Sequence, residues 1–81
     1  MTPEERNATL ISTVAIVLDL PESDISEETS PDTVSAWDSV AHLNLVVAVE
    51  EAFGVSFTPD ETMEMTSVRL MKLLLEEKLG A

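Results

Sequence analysis

Ser39 stands directly after Asp38 and three residues before His42, a spacing at which a hydroxyl and an imidazole can meet on one flank of a helix. Such a pair begins a nucleophilic triad, but no third member and no oxyanion-hole motif accompanies it. The better reading is a serine hydroxyl presented at a helix start, with His42 packed near the preceding loop and hydrogen-bonded there. No cysteine is present, which removes thiol nucleophiles, thiolate metal sites and disulfides together. Any thioester chemistry must therefore borrow its sulfur. Glu22, Asp24, Glu27, Glu28 and Asp32 gather carboxylates that could attract calcium or magnesium weakly. They lack the alternating acids and central glycine of a calcium loop, and they read as a solvated charged loop. Met63, Met65 and Met71 read as core filling.

The elements that must position these residues are legible from caps and apolar spacing. Thr2, Pro3 and Glu5 form a helix start: an N-cap, a proline at the first helical position and a carboxylate placed to close a capping box. Behind them Ile11, Val14, Ala15 and Leu18 recur at helical spacing, with Leu10 and Val17 widening the stripe. A first helix is predicted from about Pro3 to about Leu18, ended by Pro21 through its restriction of Leu20. From Asp19 to Trp37 the chain is rich in Ser, Thr, Pro, Asp and Glu without sustained periodicity, so a long loop is expected. Loops of that length are often functional. Ile25, Val34 and Trp37 are its expected anchors.

Asp38 caps a second helix that runs to about Phe53, where Gly54 supplies a left-handed stop. After a short extended link, Val55-Ser56-Phe57, the run Thr58-Pro59-Asp60-Glu61 repeats the N-terminal signature and predicts a short third helix ending near Met65. Thr66 is the expected cap of a fourth helix. Its residues Val68, Met71, Leu75 and Leu79 form one stripe and Leu70 and Leu74 a neighbouring one, with Gly80 as the stop. The fold class is all-α: a small four-helix bundle of three longer helices and one short helix, with a long loop between the first and second helices. At 81 residues the chain fits one domain, 1–81, because a second core would leave too little apolar surface for either.

Composition narrows the function classes. Sixteen acidic residues against four basic ones give a formal charge of -12, which excludes nucleic acid as a default ligand. An anionic membrane surface is disfavoured for the same reason, and no apolar run reaches membrane-spanning length. The charge favours solubility, a monomer and attraction to basic surfaces on partners. Glu4 and Glu5 stand where a secretory leader would be positive, so a cytoplasmic location is the default.

The second helix is apolar on two sides. At about 100° per residue, Leu45, Val46, Val49, Ala52 and Phe53 share one broad face, the predicted core face. Val40 and Val47 lie opposite, with Leu43 at one margin and Asn44, Glu50 and Glu51 around them. A few apolar residues ringed by polar and acidic ones make a partner-binding surface.

With Trp37-Asp38-Ser39-Val40-Ala41-His42-Leu43-Asn44-Leu45 in view, the sequence resembles the acyl carrier protein family, whose hallmark is Asp-Ser-Leu at the start of the second helix. Val40 replaces the leucine. The resemblance spans nearly the whole chain, through Glu50-Glu51 with Phe53, Asp60-Glu61, and Thr66-Ser67-Val68. It implies a non-catalytic carrier: a phosphopantetheinyl transferase attaches 4'-phosphopantetheine from coenzyme A to Ser39, and the terminal thiol supplies the missing sulfur. A helix N-terminus suits the added negative charge. By the same resemblance, Asp38 helps position the transferase. Val40, Asn44, Val47, Glu50 and Glu51 form the face that meets acyl-loading ligases or transferases and synthases with basic docking patches. The core must then part to admit an acyl chain. Asn44 stands where fatty-acid carriers commonly have an acid, and Pro59 and Met63 dilute the acidity of the third helix. These departures point to a specialised pathway, such as polyketide, lipid or polysaccharide modification. Two alternatives remain open: an aminoacyl or peptidyl carrier, and an acidic helical interaction module without a prosthetic group.

Overall fold

The computed structural model describes residues 2–80. Four α-helices follow one another, α1 (Pro3–Leu18), α2 (Ser39–Phe53), α3 (Pro59–Glu64) and α4 (Val68–Leu79), and no strand occurs among the described residues. The long loop between α1 and α2 is present, interrupted by one 3-10 turn at Glu22–Asp24 that lacks an apolar period by which to be read.

Two helices begin with the same device. Thr2 accepts the Glu5 N–H while the Glu5 carboxylate accepts the Thr2 N–H, and Thr58 and Glu61 do the same at α3. Each reciprocal pair satisfies donors that a helix end leaves unpaired. The α1 C-terminus is less expected. Helix α1 ends in a left-handed Asp19 at φ 56°, a conformation that disfavours any side chain and places a carboxylate at the negative end of the helix dipole. Asp19→Gly relieves both. Thermal unfolding should show a net gain of about 0.5–1 kcal/mol after the entropy cost of glycine.

The core is built from Leu10, Val14, Ala15 and Leu18 of α1, Leu45, Val46 and Val49 of α2, and Val68, Met71 and Leu75 of α4. Ile25 and Trp37 from the loop and Met65 from the end of α3 complete it, and Val34 packs partly buried at its edge. All three expected loop anchors therefore point inward. Three core expectations are corrected. Ala52 is exposed, because the link after α2 folds back over Glu50, which receives the Val55 and Phe57 N–H groups, and not over Ala52. Leu79 is partly exposed, since it lies in the last turn of α4, beyond the buried Leu75. Met63 is exposed while Met65 and Met71 are fully buried.

The cap of α4 is corrected too. It is Ser67, not Thr66, whose hydroxyl accepts the Leu70 N–H at 3.2 Å. The two N–H groups before it, on Val68 and Arg69, donate to the loop carbonyls of Thr29 and Glu27, each at 3.0 Å. The loop thus finishes the cap, and this fixes where α4 can start. Thr29 is buried, and its hydroxyl accepts the Ser26 N–H at 2.9 Å. Arg69 and Lys72 reinforce the seam through exposed ion pairs with Glu27 and Glu28, a class of contact worth about 0.2–1 kcal/mol each.

Candidate functional site

Asp38 is extended and its carboxylate accepts the Ala41 N–H at 2.8 Å, while its carbonyl accepts the His42 N–H at 2.9 Å. Ser39 is therefore the first residue of α2 and is exposed. Among the described residues nothing takes the Ser39 and Val40 N–H groups, so a positive helix end lies beside the Ser39 hydroxyl.

Trp37, only 2% exposed, anchors the start of this helix. Its Nε1–H donates to His42 Nδ1 at 3.0 Å, and His42 Nε2 lies 2.8 Å from the Thr62 carbonyl. Indole can only donate, so Nδ1 is the acceptor and Nε2 carries the proton that Thr62 receives. The ring planes are 18° apart with centroids 6.1 Å apart, which fits an edge-on N–H···N bond better than a face contact. One imidazole thus ties the loop, α2 and α3 together. The expected hydrogen bond toward the loop is present; the second bond, to α3, joins residues twenty apart and has no local sequence signal. Both ring nitrogens are committed and neither serves Ser39.

Between α2 and α3 runs a groove of about 640 Å³ lined by Ser39, Asp38, Trp37, His42, Leu43, Met63 and Met65, with Pro31, Thr62 and Thr66 contributing. Its wall on the α3 side is held by Lys78. The Lys78 ammonium lies 2.9 Å from Glu61 and 5.5 Å from the centre of the Phe57 ring, a cation–π arrangement. Glu61 is held below the usual carboxylate range, first by the Thr58 backbone N–H it accepts and then by Lys78. A carboxyl whose folded-state value is depressed contributes stability above its unfolded value, and that stability is lost as pH falls through the lowered one. An NMR pH titration should find Glu61 below an ordinary glutamate, and Lys78→Met should move it back toward that range.

On the outer side of α2, Val40 and Val47 are 68% and 51% exposed, and Asn44 and Glu51 are exposed with them. Glu50 is half-buried, and its carboxylate accepts the Phe57 N–H at 2.8 Å. The structure adds Leu43, 63% exposed, and Met63 to the apolar surface near Ser39. Leu43 was placed at the margin of this face by the helical wheel, whereas Met63 carries no local signal, because α3 is too short to show a period. Among the described residues, no three His, Cys, Asp or Glu side chains gather as a metal site, and no helix is long and apolar enough to cross a membrane.

Charge is segregated. The stretch from Asp19 to Glu64 holds twelve acids and no base, whereas the four acids and four bases outside it cancel. Loop, α2 and α3 thus carry the whole excess.

An exposed serine at a positive helix end, beside an apolar groove, has the features that a phosphate-linked flexible arm requires. No curated protein matches the sequence. A sequence model of the phosphopantetheine attachment site family matches residues 8–75, and the chain belongs to that family of carriers bearing covalently attached 4'-phosphopantetheine.

Proposed function

We propose that Ser39 is the attachment residue and that the chain is an acyl carrier protein, presenting acyl groups to the enzymes of a biosynthetic pathway. The observation that carries this is the exposed Ser39 at the N-terminus of α2, with free N–H groups beside it and the apolar groove alongside. When attached, the group supplies a terminal thiol that can hold an acyl chain as a thioester. The chain's own residues do the rest. Asp38 fixes the helix start and gives a phosphopantetheinyl transferase a carboxylate next to the acceptor hydroxyl. The Ser39 and Val40 N–H groups offset the negative charge of a phosphodiester.

The outer face of α2, with Val40, Asn44 and Val47 and the acids Glu50 and Glu51, gives partner enzymes with basic patches a surface to grip. Leu43 and Met63 offer apolar cover for a chain that leaves the Ser39 end. This lining favours an acyl cargo over an aminoacyl one, and parallel loading with acyl and aminoacyl ligases distinguishes them.

The test uses the full chain with coenzyme A and a promiscuous transferase. Intact mass should rise by one phosphopantetheine, and fragmentation should place the addition at Ser39. A chain left unmodified by several transferases, or one modified at another residue, defeats the proposal.

A further inference from the structure

Helix α4, like α2, is apolar on two sides. Val68, Met71 and Leu75 face the core, whereas Leu70, Leu73 and Leu74, at spacings of three and four, form a second stripe. Leu73 is 51% exposed and Leu70 38%, and from α3 Met63 adds a side chain that is 75% exposed. Together they line a trough of about 450 Å³ between α3 and α4, whose charged lining residues are Glu64 and Glu77.

The basic residues are directed elsewhere. Arg69 and Lys72 pair with Glu27 and Glu28 of the loop, Lys78 with Glu61, and Arg6 lines a crevice between α1 and α4. An apolar trough with carboxylates at its rim and no cation in its lining complements an amphipathic helix whose apolar ridge is flanked by Lys or Arg. A second copy of this chain is a poor occupant, because it would bring another charge of -12 and an equally acidic rim.

We infer that the α3–α4 trough is a docking site for a basic amphipathic helix of a partner protein, separate from the outer face of α2. The trough is lined from both α3 and α4, while the α2 face belongs to one helix, so the trough can contact a docked helix from two sides. Met63 and Thr66 line both the trough and the groove beside Ser39. A helix seated here borders that groove without covering Val40 or Val47.

The experiment titrates the unmodified, isotope-labelled protein with a synthetic Leu/Lys amphipathic helix, using a scrambled peptide of the same composition as the control. Saturable amide shifts should centre on Met63, Leu70, Leu73, Leu74 and Glu77. Leu73→Asp should weaken binding by about tenfold or more. Glu64→Gln with Glu77→Gln, which disturbs no buried group, should weaken it severalfold and flatten its salt dependence. Shifts centred on Val40 and Val47, equal binding of the scrambled peptide, or self-association through Leu73 seen by sedimentation would each overturn the inference. The readout needs no prosthetic group, so its outcome is independent of whether Ser39 is modified.

Discussion

Ser39→Ala should gain no mass under conditions that fully modify the wild-type chain, and it should unfold within about 0.5 kcal/mol of wild type. An all-or-none loss is expected because the proposed attachment uses one oxygen, which alanine lacks. Stability should hold because the capping oxygen belongs to Asp38, which accepts the Ala41 N–H, and because Ser39 is exposed in the first turn, where alanine is a good helix former. Asp38→Ala gives the complementary result. It removes the cap at a cost of about 0.5–2 kcal/mol, and on the proposed role it also slows modification while leaving the Ser39 hydroxyl in place. Intact mass and urea denaturation on the same samples separate the two effects. A Ser39→Ala protein that still takes up phosphopantetheine would move the site elsewhere.

Trp37→Ala should be the most damaging single truncation near the site. Removing a buried aromatic typically costs about 3–5 kcal/mol, and a domain of this length has only about 4–12 kcal/mol in total at 0.05–0.15 kcal/mol per residue. The loss has two parts. The indole fills core space, and its N–H serves His42 Nδ1, whose partner nitrogen holds Thr62 of α3. Trp37→Phe keeps much of the packing and deletes the donor, so a smaller cost of about 1–3 kcal/mol is expected. In the Trp37→Phe background, His42→Ala should cost less than it does in wild type, because the two share one network. Additive losses in urea denaturation followed by circular dichroism would mean that the ring bridge does not couple the loop to α3.

What could be read from the sequence was the chemistry that acts within a few residues. Thr2 with Glu5, Thr58 with Glu61, and Asp38 cap donors three residues away, and Gly54 and Gly80 supply the left-handed stops. The apolar periods of α1 and α2, and the burial of Ile25 and Trp37, follow from side-chain type and spacing. The misses are long-range. Ser67 displaced Thr66 as the cap because carbonyls of Thr29 and Glu27, some forty residues earlier, complete that helix start. Thr62, twenty residues from His42, gives no local sign that its carbonyl will receive an imidazole proton. Met63, Leu70 and Leu73 are apolar in type but exposed, and only the placement of α3 against α4 decides that. Around Ser39 the motif was visible, while the groove beside it was not, since its walls come from separate segments.

The uneven distribution of charge has a kinetic consequence. Of the twelve carboxylates between Asp19 and Glu64, Glu27, Glu28 and Glu61 pair with Arg69, Lys72 or Lys78 among the described residues, so loop, α2 and α3 keep a net negative surface. A positively charged enzyme is drawn before contact toward the surface of loop, α2 and α3, on which Ser39 is exposed. Fewer collisions are then wasted on wrong orientations, and raising ionic strength should slow capture more than it speeds release.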